Sequence, residues 1–365
     1  MKIISVVGTR PNFIKSAALV DELKKHKNIE HTLLHTGQHY DFWMSKLFFE
    51  QLGLPKPDDH LICKTGIYGD EQKKFLKAAI KAALKSQKPD LVIVVGDVNS
   101  TVAGAEAAKE LGIKVAHVEA GLRSFDKTMP EEINRIRTDR ISDFLFTTEK
   151  SANANLLNEG IDKGKIFFVG NVMIDTLLRH KKKSKKSRIL SELKLNKNGY
   201  AVLTLHRPSN VDSRKSLSYI LDIMENLQKH IKIVFPIHPR TLKNLKNFNL
   251  LDMIKNMKNI ILTKPIGYLD FLALMSNSRF VLTDSGGIQE ETTVLGIPCI
   301  TMRNNTERPI TVGQGTNVLV STDKSKIIEA SNKLLKGPVF KAKIPQFWDG
   351  KAAKRIVGII LKDFN

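Results

Sequence analysis

An apolar run that ends in a double glycine and continues as a helical pattern constrains the fold of this chain more than any other feature. The run Phe280–Thr283 passes through Asp284 and Ser285 into Gly286 and Gly287. A strand that turns directly into a helix points unpaired backbone N–H groups and the positive end of the helix dipole at one spot. The glycines permit close backbone approach, so the turn is suited to bind a phosphate. An ordinary strand-to-helix turn with Ser285 as the N-cap fits the same residues.

Short apolar runs alternate with helical patterns through both halves of the chain. Continuous runs of Val, Ile and Leu are typical of strands in parallel sheets that are covered on both faces. With 365 residues, the chain exceeds the usual size of one domain. We therefore predict an α/β fold with two Rossmann-like, doubly wound domains, residues 1–175 and 176–348. The predicted strands are Ile3–Val7, His31–Leu34, Leu91–Val95, Val115–Val118, Phe144–Thr147, Ile166–Val169, Ala201–Leu205, Ile231–Phe235, Ile260–Thr263, Phe280–Thr283, Cys299–Met302 and Val318–Val320.

Charge and cysteine usage exclude several classes of protein. The lysines behind the formal charge of +21 are scattered rather than gathered on a nucleic-acid-binding motif, so they fit a solvated surface that attracts anionic substrates. We interpret the basic run His180–Arg188 as a solvated linker. Cys63 and Cys299 are far apart and lack metal-ligand spacing, so we expect two buried thiols and neither a disulfide nor a metal site. No apolar run is long enough to cross a bilayer and the start reads as a strand, so we expect a cytoplasmic protein without a membrane partner.

Acidic residues follow neighbouring predicted strands in the first half. Ligands of doubly wound sheets bind outside the carboxyl ends of the strands. Asp97 follows one apolar run and Glu119 ends the next. Asp97 fits a helix cap as well as a catalytic acid, whereas Glu119 has no evident capping role. Downstream, Thr128 and Glu131 fit a capping box, and Glu131 with Arg135 fits an ion pair on one helical face.

Cations follow other predicted strands. The first strand leads into a single glycine, Arg10 and Lys15, where a dinucleotide fingerprint would need G-x-G-x-x-G, so a nicotinamide or flavin cofactor is disfavoured. In the second half, His206 and His238 each follow a strand and lie next to an arginine. Two such pairs opposite a Ser-Gly-Gly turn fit the ligands of a diphosphate, and Arg308 adds another cation.

Eight segments form a pattern along the chain. They are Gly8–Pro11, Gly96–Asp97, His117–Arg123, Pro130–Arg135, Gly170–Asn171, His206–Arg207, His238–Pro239 and Asp284–Glu291. Taken in order, these motifs resemble the non-hydrolysing UDP-N-acetylglucosamine 2-epimerases over nearly the whole chain. The resemblance implies a glycosyltransferase-B fold, with the active site in the cleft between two Rossmann-like domains, and a homodimer. It also implies that a terminal helix within 349–365 returns to the first domain.

The implied reaction interconverts UDP-GlcNAc and UDP-ManNAc and supplies ManNAc units for surface polysaccharide or glycan synthesis. UDP leaves to give 2-acetamidoglucal and adds back after protonation of the opposite face of C2. No cofactor is implied. By resemblance, acid/base work near C2 falls to Asp97, Glu119 and Glu131, with Arg135 positioning Glu131 and His206 protonating the departing phosphate. The other implied ligands are Arg10, His238, Ser285, Gly286, Gly287 and Arg308 for the diphosphate, Lys15 for positive potential near the sugar-phosphate, Phe271 for uracil and Glu291 for ribose.

Two segments depart from the family's pattern. Bacterial members bind a second UDP-GlcNAc as an allosteric activator through a loop that matches Gln38 and His39, but this chain places Asp41 near them. Pro208–Asn210 stands where many members have Arg-Glu-Asn. Four alternatives stay open. They are a hydrolysing epimerase, an epimerase of a UDP-2,3-diacetamido-uronic acid, a glycosyltransferase of the same fold and a basic nucleic-acid-binding module.

Overall fold

The structure is a computed structural model that describes residues 1–38, 50–61, 66–337 and 342–364. His39, Asp41, Cys63 and the side chain of Arg10 lie outside this description. The chain divides into two compact units, Met1–Arg179 with Gln346–Asn365, and His180–Pro345. We call them the N-terminal and the C-terminal domain.

The N-terminal domain is built on a sheet of parallel strands in the order β3-β2-β1-β4-β5-β6-β7. The strands are β1 (Lys2–Val7), β2 (Glu30–His35), β3 (Asp59–His60), β4 (Leu91–Val95), β5 (Lys114–Ala120), β6 (Phe144–Thr147) and β7 (Ile166–Phe168). The helices are α1 (Arg10–Leu23), α2 (Gly69–Gln87), α3 (Asn99–Lys109), α4 (Pro130–Ile141), α5 (Lys150–Asn158), α6 (Val172–Ser184) and, at the end of the chain, α16 (Ala352–Phe364).

Both faces of this sheet are covered, which explains why its strands are apolar without alternation. Successive strand residues point to opposite faces. Leu91 joins a buried cluster with residues of α1 and α16, such as Leu19 and Ile356. Its neighbour Val92 joins a different cluster with residues of α2 and α3, such as Ile80.

The terminal segment is fastened to the N-terminal domain by polar contacts as well. Trp348 is buried and donates from its indole nitrogen to the carbonyl oxygen of Thr148 at 3.0 Å. The carboxylate of Asp175 accepts the amides of Ala352 and Ala353 at 3.2 and 2.8 Å, so it caps the start of α16. Burial raises the pKa of Asp175 to about 6.

The C-terminal domain holds a second parallel sheet in the order β10-β9-β8-β11-β12-β13. Its strands are β8 (Tyr200–Thr204), β9 (Lys232–Pro236), β10 (Ile260–Thr263), β11 (Phe280–Thr283), β12 (Cys299–Thr301) and β13 (Asn317–Leu319). Its helices are α7 (Ile189–Glu192), α8 (Pro208–Val211), α9 (Arg214–Leu227), α10 (Pro239–Asn247), α11 (Leu251–Lys255), α12 (Tyr268–Asn277), α13 (Gly286–Leu295), α14 (Pro309–Gly313) and α15 (Lys324–Lys336).

The fold prediction of two doubly wound, parallel α/β domains is confirmed. The interpretation of His180–Arg188 as a solvated linker is wrong in its first part, because α6 continues through Ser184 and the side chain of His180 is fully buried. Cys299 is buried, as expected. Among the described residues, no helix is both long and apolar enough to span a membrane.

Candidate active site

Asp97 and Glu119 lie at the carboxyl ends of two paired strands, β4 and β5. The pairing of β5 with β6 shifts register between Val118 and Ala120, so Glu119 lies in a bulge. Its φ of 74° is a left-handed conformation that non-glycine residues rarely adopt. Such strain costs on the order of 1 kcal/mol and clusters at functional sites. The strained backbone therefore marks Glu119 as a candidate functional residue.

Two cations surround these two acids. Lys15 from α1 places its Nζ 2.7 Å from Oε1 and 2.6 Å from Oε2 of Glu119. Arg135 from α4 places Nη2 2.5 Å from Oδ2 of Asp97 and 3.2 Å from Oε1 of Glu119. Lys15, Glu119 and Arg135 are almost wholly buried, whereas the Asp97 side chain is 20% exposed. We call Lys15, Asp97, Glu119 and Arg135 the acid cluster.

The acid cluster contains contacts that the sequence did not predict. The guanidinium of Arg135 binds Asp97 and Glu119, and its positioning of Glu131 stays a prediction. The ammonium of Lys15 binds Glu119, and its contribution to the potential near a sugar-phosphate stays a prediction. Glu131 lies half-buried in the first turn of α4.

The predicted capping box at the start of α4 is wrong. Thr128 donates its hydroxyl to Asp126 Oδ1 at 2.6 Å, and Met129 is the N-cap. Pro130 follows at the first helical position, where its fixed φ favours the start of a helix without a side-chain cap.

Two asparagines that the sequence analysis did not single out support the acid cluster. Asn12 donates to the carbonyl oxygen of Val95 at 2.9 Å and accepts the amide of Thr9 at 3.1 Å, so it joins the first loop to the end of β4. Asn134 donates to the carbonyl oxygen of Asp97 at 3.0 Å. Asn134 lies within a segment that carries the family resemblance and Asn12 lies directly after one, and that position was the available signal.

Gln38, a predicted allosteric ligand, is bound within the domain. Its Oε1 accepts the amide of Ser100 at 2.9 Å and the hydroxyl of Ser100 at 2.6 Å, at the start of α3. Its side-chain oxygen therefore satisfies a helix N-terminal N–H in this structure. A role in binding a second nucleotide stays a prediction.

In the C-terminal domain, Asp284 organises His206 at the carboxyl ends of the paired strands β11 and β8. His206 Nδ1 lies 2.9 Å from Asp284 Oδ1, and the backbone amides of His206 and Arg207 donate to the same carboxylate. Burial raises the pKa of Asp284, but His206 and these amides outweigh burial and lower it to about 2. The His206 side chain is 38% exposed, and its bond to Asp284 directs Nε2 away from the carboxylate.

His238 lies beside His206, with ring centroids 5.6 Å apart. Its Nδ1 accepts the amide of Arg240 at 3.2 Å at the start of α10. Because Nδ1 accepts, the ring proton lies on Nε2, so His238 can donate to an anion.

The Ser-Gly-Gly turn has the predicted form, since α13 begins at Gly286 directly after Ser285. In the described structure Ser285 caps α13 without a hydrogen bond from its side chain. A β-carbon added at Gly286 would lie 2.4 Å from Nη1 of Arg308. A β-carbon at this position would therefore force the guanidinium of Arg308, which packs against the turn, to move.

Arg308 itself lies in a buried ion-pair network. Its Nε lies 2.9 Å from Glu290 and its Nη1 3.1 Å from Glu307. Glu307 also receives two bonds from Arg303, at 2.9 and 3.0 Å. Burial raises the pKa of Glu307, but the neighbouring arginines outweigh burial and hold it well below its ordinary value. Arg308 thus packs against the Ser-Gly-Gly turn while Glu290 and Glu307 hold its guanidinium. Its predicted contact with a diphosphate stays a prediction.

The residues predicted for uridine lie on α12 and α13. Glu291 is buried and accepts the hydroxyl of Tyr268 at 2.9 Å. Burial raises the pKa of Glu291 to about 7, and Glu290 adds to the rise. Phe271 is half-buried one turn along α12 from Tyr268. Within the described residues, His, Cys, Asp and Glu side chains do not group as metal ligands.

The N-terminal domain carries acids at the carboxyl ends of its strands, and the C-terminal domain carries a His-Asp pair beside a Ser-Gly-Gly turn. This fold and site are those of a class of nucleotide-sugar enzyme. The chain belongs to the UDP-N-acetylglucosamine 2-epimerase family, whose sequence profile matches residues 21–361. The family prediction is confirmed.

Relatives match over almost their full length. The chain is 47% identical over 365 residues to a UDP-N-acetylglucosamine 2-epimerase of Methanocaldococcus jannaschii, covering 99% of each protein. It is 39% identical over 365 residues to a UDP-2,3-diacetamido-2,3-dideoxy-D-glucuronate 2-epimerase of Pseudomonas aeruginosa, covering 99% of this chain and 100% of the relative. A crystal structure of the Methanocaldococcus jannaschii enzyme in complex with UDP-GlcNAc and UDP superposes with a TM-score of 0.93 at 45% identity, covering 99% of this chain and 100% of the other.

Proposed function

We propose that this protein is a non-hydrolysing UDP-N-acetylglucosamine 2-epimerase that interconverts UDP-GlcNAc and UDP-ManNAc. The observation that carries the proposal is the acid cluster, in which Lys15 and Arg135 hold Glu119 and Asp97 at the ends of adjacent strands. The identity of 47% to a relative named for this activity supports the choice of substrate.

The chemistry explains why several acids are needed. The C2 proton of the hexose has no adjacent carbonyl to acidify it, so simple removal and return of the proton is slow. In the proposed route a base takes the C2 proton, the C2–H electron pair forms a C1=C2 bond, and the C1–O pair leaves with UDP. On return the double bond takes a proton on the opposite face of C2, and UDP adds back at C1. Two proton carriers are therefore required.

The N-terminal domain supplies the proton carriers in this proposal. Asp97 is the exposed member of the acid cluster, and within the described chain only its Oδ2 is hydrogen-bonded. In this proposal Asp97 Oδ1 is therefore the oxygen that contacts the sugar. Glu119, held on both oxygens by Lys15, provides the fixed negative potential beside Asp97. Glu131, in the first turn of α4, is the second proton carrier in this proposal.

The C-terminal domain stabilises the leaving diphosphate in this proposal. The Nε2 atoms of His206 and His238 donate to phosphate oxygens, and the amides at the start of α13 complete the anion site. His206, oriented by Asp284, protonates the departing UDP. The protein works as a cytoplasmic homodimer and provides ManNAc units for surface glycans.

The test is a product assay on the purified protein by proton NMR. Incubated with UDP-GlcNAc alone, it should yield UDP-ManNAc with the nucleotide still attached. Free ManNAc and UDP would indicate a hydrolysing enzyme, and inert substrate until an acceptor is added would indicate a transferase.

A second substrate is favoured by one observation, the identity of 39% to the diacetamido-glucuronate enzyme. The same assay with UDP-2,3-diacetamido-uronic acid decides between them. A higher kcat/KM for the uronic acid than for UDP-GlcNAc would replace the substrate and leave the acid cluster's role intact.

A further inference from the structure

A buried histidine next to the acid cluster has no role in the function proposed above. His117 lies within β5 and its side chain is fully buried. Its Nδ1 lies 2.7 Å from Oδ1 of Asp139 on α4. Its Nε2 lies 2.7 Å from the carbonyl oxygen of Gly96, the residue directly before Asp97.

Both partners of His117 accept hydrogen bonds. A carbonyl oxygen has no proton to give. Asp139 also receives Nη2 of Arg123 at 2.7 Å and the amide of Gly121 at 3.1 Å on its other oxygen, so it behaves as a carboxylate. Because each ring nitrogen of His117 faces an acceptor, each carries a proton, and the ring is an imidazolium.

The surroundings balance this charge. Arg123 forms two further bonds with Glu159, at 2.7 and 2.9 Å. Two cations, His117 and Arg123, thus face two carboxylates, Asp139 and Glu159. Burial raises the pKa of Asp139, but His117 and Arg123 outweigh burial and lower it. A buried charge is tolerated when it is paired in this way.

We propose that His117 is a positioning residue, protonated on both ring nitrogens, that fixes the Gly96–Asp97 peptide through its Nε2 proton. The inference rests on the proposed function, because it takes Asp97 as a reacting acid. Gly96 has a φ of 71°, a conformation that glycine adopts without strain. Asn134 holds the Asp97 carbonyl, so the turn is fastened at both residues while the Asp97 carboxylate stays accessible.

The first experiment reads the protonation of His117 in the intact protein. Long-range proton–nitrogen correlation spectra of protein labelled with ¹⁵N-histidine should show one ring with both nitrogens protonated at about pH 7. The ring is assigned by NOE contacts to its neighbours in β5. One unprotonated nitrogen on His117 near pH 7 would overturn the proposal, whatever the protein's activity.

The second experiment compares two variants with the same change of charge. Asp139→Asn removes the counter-ion of His117, so the ring becomes neutral, the Gly96–Asp97 turn loosens, and kcat falls by about 10²-fold with little change in KM. Glu159→Gln touches Arg123 but not His117, and should keep kcat close to that of the parent. An equal loss of kcat in both variants would overturn the proposed role of His117. So would an unchanged kcat in Asp139→Asn together with a neutral His117. A parent protein inactive on UDP-GlcNAc would refute the proposed function while the spectrum still decides the state of His117.

Discussion

The ammonium of Lys15 lies within 2.7 Å of both carboxylate oxygens of Glu119, and neither side chain is more than 5% exposed. A buried carboxylate in this arrangement depends on its cation, since removing one partner of a buried pair costs about 3–5 kcal/mol. Lys15 therefore acts through Glu119 in our account.

Replacing Lys15 with methionine should lower kcat by about 10²-fold while UDP binds almost as before, because the lysine contacts the acid and not the nucleotide. Calorimetry with UDP and initial-rate measurements check this. Lys2→Met, which removes a surface ion pair with Glu30, is the control and should leave both quantities unchanged. If Lys15→Met lost affinity for UDP but kept its kcat, Lys15 would act on the sugar-phosphate, as the sequence predicts, and not through Glu119.

Asp284→Asn should reduce kcat by about 10²-fold or more, because His206 loses the carboxylate that orients it. Steady-state kinetics on UDP-GlcNAc measure the loss. Asp212→Asn removes an equal charge from the surface pair with Arg240 in the same domain and is the control. It should leave kcat unchanged. Similar rates for both variants would exclude His206 as the proton donor to the leaving group.

Gly286→Ala should destabilise the protein by about 1–3 kcal/mol, since overpacking forces a buried group to move. The added carbon would lie 2.4 Å from Arg308, whereas one added at Gly358 in α16 meets no atom within 4 Å. Gly358→Ala is thus the matched control and should gain about 0.5–1 kcal/mol from helix propensity. Urea unfolding of both variants tests the contrast. Equal free energies of unfolding would mean that Arg308 does not hold the turn.

The sequence predicted the sheets well, because apolar runs buried on two faces leave little ambiguity. Leu91–Val95 and Phe280–Thr283 were predicted with the bounds that the structure has. The strand Asp59–His60 was missed, since it is two residues long and polar. Edge strands of this kind carry no periodic signal.

Side-chain partners within the site were harder to predict. Spacing along a helix suggested that Arg135 pairs with Glu131, and it did not indicate that folding also brings Asp97 and Glu119 from β4 and β5 within reach of the guanidinium. Long-range partners depend on strand order, which local spacing does not encode. For the same reason Asp284 was assigned only to a motif, although it receives four donors in the structure.

Stability should depend on pH through Glu291. Its pKa rises from 4.5 to about 7 on folding, so its contribution is fully present below pH 4.5 and is lost as pH rises through 7. Glu291→Gln removes this dependence. The free energy of unfolding of the variant relative to the parent should therefore increase by up to about 3 kcal/mol across that window.

Urea unfolding at about pH 5 and about pH 8 measures this change. Glu329→Gln, at an exposed position of α15, is the control and should show no such trend. A constant difference between parent and Glu291→Gln would show that the buried carboxyl does not titrate in this range.

The central claim is that Asp97, held in the acid cluster, and Glu131 exchange the C2 proton of UDP-GlcNAc, and turnover in deuterated water tests it most directly. The account predicts deuterium at C2 of both UDP-GlcNAc and UDP-ManNAc at equilibrium. It also predicts that Asp97→Asn and Glu119→Gln abolish the exchange while still binding UDP. Epimerised product without deuterium at C2, or unchanged exchange rates in both variants, would contradict it.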